Sequence, residues 1–277
     1  MLNCILQKYS VKIKRIMYAN ILMIVVLMVN SCTQNTATES SANQLLLEVA
    51  GPVEEDNPYR QIDEIPLPAG YHRIDAADGS FASWLRALPL KKDKRVFTYS
   101  GALKQNQAAQ YAVIDISVGS RDLQQCADAV MRLRAEYKFK NGKYGEICFW
   151  DNERNRWLFT APYSRKHFDE YLQRVFAHCG SASLEKQLKR KKLEEMTPGD
   201  VLIRGGFPGH AVIVMDMAED ATGKKIYLLA QSYMPAQDVH VLLNPLSDAT
   251  SPWYPLNNAE AIITPEYDFT ANQLKTW

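Results

Sequence analysis

The feature that most constrains this chain lies in its C-terminal half. Four short apolar runs follow one another there: Asp200 to Arg204, His210 to Met217, Lys225 to Ser232 and Gln237 to Leu243. Turns rich in Gly, Pro and Asp separate them. Runs of this length, bounded by turn residues, read as successive strands of a sheet. The segment before them has a different period. Ser80 caps a short amphipathic helix with Phe81, Trp84, Leu85 and Leu88 at helical spacing, and Pro89 stops it. A second helix is expected from about Asp122 to Tyr137, with Asp122 as N-cap and Gln125 three residues on. Ser164 caps a third, whose stripe is Phe168, Tyr171, Leu172, Val175 and Phe176, and Gly180 ends it. A charged helix is expected over about Ser183 to Glu195. Arg95 to Tyr99 and Tyr111 to Val118 are further expected strands, 138–161 an aromatic hairpin or irregular insert, and 244–277 a loop-rich end with a short apolar run near Ile262. Helices first and an antiparallel sheet afterwards make the class α+β.

The N-terminus carries a separate signal. Lys8, Lys12, Lys14 and Arg15 precede an apolar run, Ile16 to Val29, which is too short to cross a hydrocarbon layer of ~30 Å as a helix. The run exits through Val29-Asn30-Ser31-Cys32. A small residue directly before Cys resembles the lipobox of bacterial lipoproteins. The resemblance implies cleavage before Cys32, a thioether to diacylglycerol on its sulfur and acylation of its freed amine, which together anchor the chain. Residues 1–31 are then a signal peptide and 32–57 a polar, flexible tether. Residues 58–277 form a single domain, with inserted helices at about 138–195. An uncleaved signal anchor or a short core helix is the plainer alternative.

Charge excludes other classes. The 277 residues carry 32 basic and 31 acidic groups. Residues 1–31 hold four basic and no acidic groups, so 28 basic and 31 acidic groups remain after cleavage, a net of −3. Nothing here points to nucleic acid. Of five cysteines, Cys4 leaves with the signal and Cys32 takes lipid. Cys126, Cys148 and Cys179 remain. At most one pair forms, most simply Cys148 with Cys179, and one thiol is left over.

That thiol invites a chemical reading. Cys126 lies in the first turns of its expected helix, where unpaired N–H groups and the positive end of the dipole favour a thiolate. It needs a base from elsewhere in the chain. His210 is the candidate, a polar imidazole at the mouth of an otherwise apolar strand. Both residues have plainer readings. Cys126 shares a helical stripe with Ala129, Val130, Leu133 and Tyr137, as a small core thiol would, and His210 can be a satisfied histidine at a sheet edge. His72, His167 and His178 lack metal-ligand spacing and no glycine loop for nucleotides is present. No metal and no organic cofactor is expected.

The run Met196-Thr197-Pro198-Gly199-Asp200-Val201-Leu202-Ile203, a short link, and Gly209-His210-Ala211-Val212-Ile213-Val214 resembles the core of NlpC-like and CHAP-type cysteine peptidases, which are papain-like enzymes of the bacterial envelope. The resemblance implies a papain-like fold, Cys126 as nucleophile, His210 as general base and a third polar residue on the next strand, Gln231. Ser232, Gln237 and His240 compete for that third role or line a substrate groove. The Asp-Cys-Ser/Gly segment of the group is replaced here by Gln-Cys-Ala. The chain from about Pro58 also resembles an uncharacterised family of bacterial lipoproteins, a domain of unknown function. Gly79 to Arg86, Leu123 to Tyr137 and Ala230 to His240 carry that likeness. Two functions are therefore expected in competition. One is a lipid-anchored cysteine hydrolase of the cell envelope, cutting an amide in peptidoglycan stem peptides, on the periplasmic or outer-membrane side. The other is an inactive lipoprotein binding module for an envelope glycan, peptide or protein.

Overall fold

The four apolar runs form the middle of a nine-stranded sheet. The computed structural model describes residues 56–257 and 260–277, which fall in one contact unit, Glu54–Trp277. The basic-apolar segment, Cys32 and nearly all of the expected tether lie outside the described residues. Among the described residues no helix is long and apolar enough to cross a membrane.

In chain order the elements are β1 (Tyr71–Arg73), α1 (Phe81–Arg86), β2 (Gln110–Val113), α2 (Cys126–Lys140), β3 (Cys148–Trp150), β4 (Arg156–Leu158), α3 (Arg165–His178), α4 (Ser181–Gln187), β5 (Lys189–Arg190) and β6 (Val201–Arg204). There follow β7 (His210–Asp220), β8 (Lys225–Gln231), β9 (His240–Leu242), β10 (Tyr254–Pro255), β11 (Ile262–Ile263), β12 (Asp268–Phe269) and β13 (Leu274–Thr276). The main sheet runs β2-β9-β8-β7-β6-β13-β5, with β1 added on β7 and β10 on β8. Its pairings are antiparallel. The fold is mixed α+β, a large antiparallel sheet with a few helices.

The central strand β7 is covered on both faces, which is why its sequence reads as an unbroken apolar run. Ala211, Ile213 and Met215 join one core cluster with α1, α2 and α3, while Val212, Val214 and Met217 join a second with Tyr227, Tyr254 and Phe269. The alternation slips between Val214 and Asp216, where the β7–β8 register shifts. A bulge of this kind re-aims the next side chain. Asp216, wholly buried, meets Arg73 Nε at 2.7 Å and Arg86 Nε at 2.8 Å, and also accepts from the Met217 amide. Arg73 and Arg86 each bond a main-chain carbonyl as well, Ile65 and Ile74. One carboxylate thus ties β1, α1 and β7.

Several expected elements shift. The first and third helices stand as expected, with Ser80 accepting from Ser83 N and Ser164 from His167 N. The second starts four residues late, at Cys126, because Asp122 spends its Oδ1 on Ala236 N (2.7 Å) and Gln125 Nε2 (3.1 Å) instead of capping. Arg95 to Tyr99 makes isolated bridges, Phe97 with Leu103 and Thr98 with Gln237, and is no strand. The expected strand Tyr111 to Val118 shortens to β2. The charged helix over 183–195 breaks into α4, β5 and a 3-10 turn at Leu193–Glu195, since Lys189 and Arg190 pair with β13. Tertiary pairing overrides helix propensity there. The loop-rich end supplies four short strands, and β13 sits inside the main sheet between β6 and β5. Cys126, Cys148 and Cys179 are all free thiols, so the expected Cys148–Cys179 bridge is not formed.

Asp216→Ala leaves two largely buried guanidiniums without their shared carboxylate. Loss of one partner of a buried ion pair costs ~3 kcal/mol, so urea unfolding of this variant should show a loss of that order. An unchanged midpoint would contradict the role given to Asp216.

Candidate active site

The Pro-Gly-Asp and Gly-His pieces have separate physical reasons. Gly199 has φ +93°, and a Cβ there would lie 2.6 Å from the Phe81 ring, so only glycine fits. Asp200, buried just after it, accepts from Thr197 N and Lys191 Nζ, both at 2.7 Å, and closes the turn that launches β6. Gly209 has no room either, since a Cβ would meet Gly206 O, Ser181 Oγ and Arg204 O within 2.8 Å. The β6–β7 hairpin therefore closes tightly, with Arg204 opposite His210 in register.

His210 opens β7 with 1% of its surface exposed. Its Nε2 lies 2.7 Å from Gln231 Oε1 at the end of β8. Hydrogen positions follow from the partners. His240, the first residue of β9, has Nδ1 2.9 Å from the Asp238 carbonyl, so Nδ1 donates and the neutral ring presents a lone pair at Nε2. Gln231 Nε2 stands 3.4 Å from that lone pair and 2.7 Å from Glu266 Oε2. Both contacts need a donor, so the amide nitrogen faces them and Oε1 faces His210. An amide oxygen only accepts, hence His210 Nε2 carries the hydrogen and Nδ1 is left with the lone pair. Glu266 is held in turn by Lys104 Nζ at 2.8 Å and Asn106 Nδ2 at 3.3 Å. Burial lowers the Lys104 pKa, and the Glu266 carboxylate opposes that shift.

Cys126 is the first residue of α2, and this helix packs on β7. The main-chain amides of Ala211, Ala127 and Cys126 itself act on the sulfur and favour its ionised form. Ala211 directly follows His210, so this influence comes from the start of the His210 strand. Among the described residues no hydrogen bond joins the sulfur to the His210 ring itself. Gln125 N donates to Asp128 Oδ2 at 3.0 Å in the first helical turn. Cys126 is 6% exposed. Burial, with Asp128 adding to it, pushes its thiol up to about 11. Asp128 is itself raised well above the usual carboxylate range by burial. Burial also brings His210 down to about 4 and His240 down to about 3. The resting pair is therefore a neutral thiol and a neutral imidazole.

Aromatic rings close the site. Tyr233 and Tyr267 stand 4.8 and 5.1 Å from the His210 ring, and Phe269 stands 6.0 Å away. Tyr233 is partly exposed, and its hydroxyl is raised by burial and then by Glu266, Cys126 and Tyr267. Met234 beside it and Phe207 in the β6–β7 hairpin are exposed.

Of the residues singled out in the sequence, His210 and Gln231 are hydrogen-bonded, and Cys126 opens the helix that packs on the His210 strand. Ser232, Gln237 and His240 lie around them but are enclosed, so in this state they face no groove open to a substrate. Ser232 Oγ sits 2.9 Å from the Gln124 carbonyl and 2.8 Å from the Gln237 carbonyl, and ties the segment before Cys126 to the β8–β9 connection. His240 backs the Gln231 amide. Glu266, Tyr267 and Lys104 carry no sequence signal. The first two arrive on the turn between β11 and β12, a region that reads only as loop. Among the described residues no cluster of His, Cys, Asp and Glu could hold a metal ion.

The buried neutral histidines fix a pH dependence. Unfolded, His210 and His240 titrate near 6.5, and folded they titrate lower, so the unfolded chain binds more protons between those values. Their contribution to stability is whole above pH 6.5 and falls as the pH drops toward 4. Urea midpoints between pH 7 and pH 4 should show this decline. His210→Gln should flatten it, and an equally steep decline in that variant would contradict the assignment.

No curated protein and no solved structure matches the chain. A family model described as Domain of unknown function (4846) matches residues 62–161 and 150–276. Cys126 falls in the first matched segment, and His210, Gln231 and Glu266 fall in the second. The chain therefore belongs to the family Domain of unknown function (4846).

Proposed function

We propose that this protein is a papain-like cysteine hydrolase that cleaves an amide bond. One observation carries the reading: the 2.7 Å contact between His210 Nε2 and Gln231 Oε1, which leaves Nδ1 with the lone pair of a base, on the strand against which the Cys126 helix packs. In the proposed reaction His210 Nδ1 takes the Cys126 proton as the sulfur attacks the carbonyl carbon. N–H groups at the start of α2 hold the oxyanion, and the imidazolium protonates the departing amine. Water then hydrolyses the thioester, with His210 again as base. Glu266 acts as a positioning residue, because its carboxylate forbids the flipped Gln231 amide. The closed Tyr233 turn has to move to admit substrate. The Cys32 lipobox supports a lipid-anchored envelope location, and peptidoglycan stem peptide is the proposed substrate there.

The second reading is an inactive binding module. The near-complete burial of Cys126 and His210, with a thiol near 11 and an imidazole near 4, favours it.

Purified sacculi incubated with the full chain separate the two. Release of peptides with new free amines, lost in Cys126→Ala and in His210→Ala at unchanged melting temperature, supports the hydrolase. Binding to sacculi without cleavage supports the module, and release that persists in Cys126→Ala overturns the mechanism. Where turnover is found, Glu266→Ala should lower it ~10- to 100-fold, in the range of lost positioning contacts. It should also move the His210 ring nitrogen resonances toward the other tautomer, a change that a loss of stability alone does not produce.

A further inference from the structure

A cavity of about 330 Å³ opens beside the segment that leads into Cys126. Its lining brings together Arg121, Arg132 and Arg165, with Asp169 as the one acidic side chain, and Gln124 and Gln173 as amides. The ion pairs leave a surplus. Arg165 is bidentate to Glu136 at 2.7 and 2.8 Å and also reaches Asp169 at 2.6 Å. Arg132, mostly buried, bonds the Ser117 carbonyl and Gln124 Oε1, and lies 3.5 Å from the already engaged Glu136. Arg121 meets the neutral Gln173 Oε1 at 3.2 Å. Three guanidiniums thus stand against two carboxylates.

A second, independent observation comes from Gln124. It is 1% exposed, and among the described residues its Nε2 has no partner. The orientation is fixed, because a guanidinium only donates and Arg132 therefore holds Oε1. Gln124 lines the cavity, with this donor buried in the wall. A buried, unpaired N–H is unfavourable, and an acceptor that reaches it from this cavity removes that cost. Leu172 and Phe176 add an apolar wall.

We propose that this cavity binds the carboxylate of a small organic acid of amino-acid to dipeptide size, with Arg121 and Gln124 Nε2 as its donors. The volume is at the small end of ligand sites, so a short acylated amino acid fits its scale better than a nucleotide or a polymer. A carboxylate neutralises the surplus guanidinium and accepts from the stranded amide. The site does not require Cys126 to be reactive, since it concerns equilibrium binding.

Calorimetric titration of the full chain tests this with three probes: N-acetylalanine, N-acetylalanine amide and inorganic phosphate. Saturable heat with N-acetylalanine, at least about tenfold weaker with the amide and with phosphate, is the expected result. Arg121→Gln, at an exposed position, should weaken N-acetylalanine about tenfold at unchanged melting temperature. Gln124→Leu should weaken it as well and serves as the second variant. Equal binding of acid and amide, tighter binding of phosphate, absence of saturable heat or full affinity in Arg121→Gln would each overturn the proposal.

Discussion

A carboxamide in a dry interior must place one oxygen and two N–H bonds, and the candidate site is organised around how Gln231 does so. Its oxygen goes to His210, and its two hydrogens go to His240 and Glu266. These partners come from β7, from β9 and from the turn between β11 and β12. Lys104, from the segment before β2, then holds Glu266. Three distant parts of the chain are thus tied by one side chain whose orientation is not free, and a fourth joins through Glu266. Buried polar networks of this sort hold only when each member is satisfied. The network therefore specifies the local fold as much as it prepares any chemistry.

Around this network the structure is conservative. The sheet supplies a rigid floor with apolar side chains on both faces of β7. Gly199 and Gly209 let the chain pass where no side chain has room, and so place His210 at the strand mouth. The start of α2 is set by Asp122 leaving its capping role to stitch the β8–β9 connection. That shift moves Cys126 from the interior of a turn to the first helical residue, where its own amide and the next one favour the ionised sulfur. Burial suppresses the charge of both Cys126 and His210, and so the thiol and the imidazole rest neutral.

The parts legible in the sequence were those with a strong local cause. Ser80 and Ser164 announce their helices by capping chemistry, and β6 to β9 by apolar runs between turn residues. Cys126 and His210 stood out because a thiol at a helix start and an imidazole on an apolar strand are each unusual, and Gln231 followed from the resemblance. Glu266 and Tyr267 were invisible. Nothing in Thr264-Pro265-Glu266-Tyr267 distinguishes it from any polar turn, and the side-chain partners of Glu266, Gln231 and Lys104, lie more than thirty residues away in sequence. The charged segment at 183–195 misled for a related reason, since its helical propensity is local and the pairing of Lys189 and Arg190 with β13 is not. The expected cysteine bridge rested on parity, a constraint that says nothing about which sulfurs are brought together.

The choice of an amide in place of an acid behind the imidazole has an outcome of its own. A carboxylate in that seat would offer a counter-charge and a second landing place for a proton. Gln231 offers neither, since its oxygen is far too weak a base to be protonated in neutral water. His210 thus has a single port: whatever enters the ring at Nδ1 must depart through Nδ1, and the far side of the circuit is insulated.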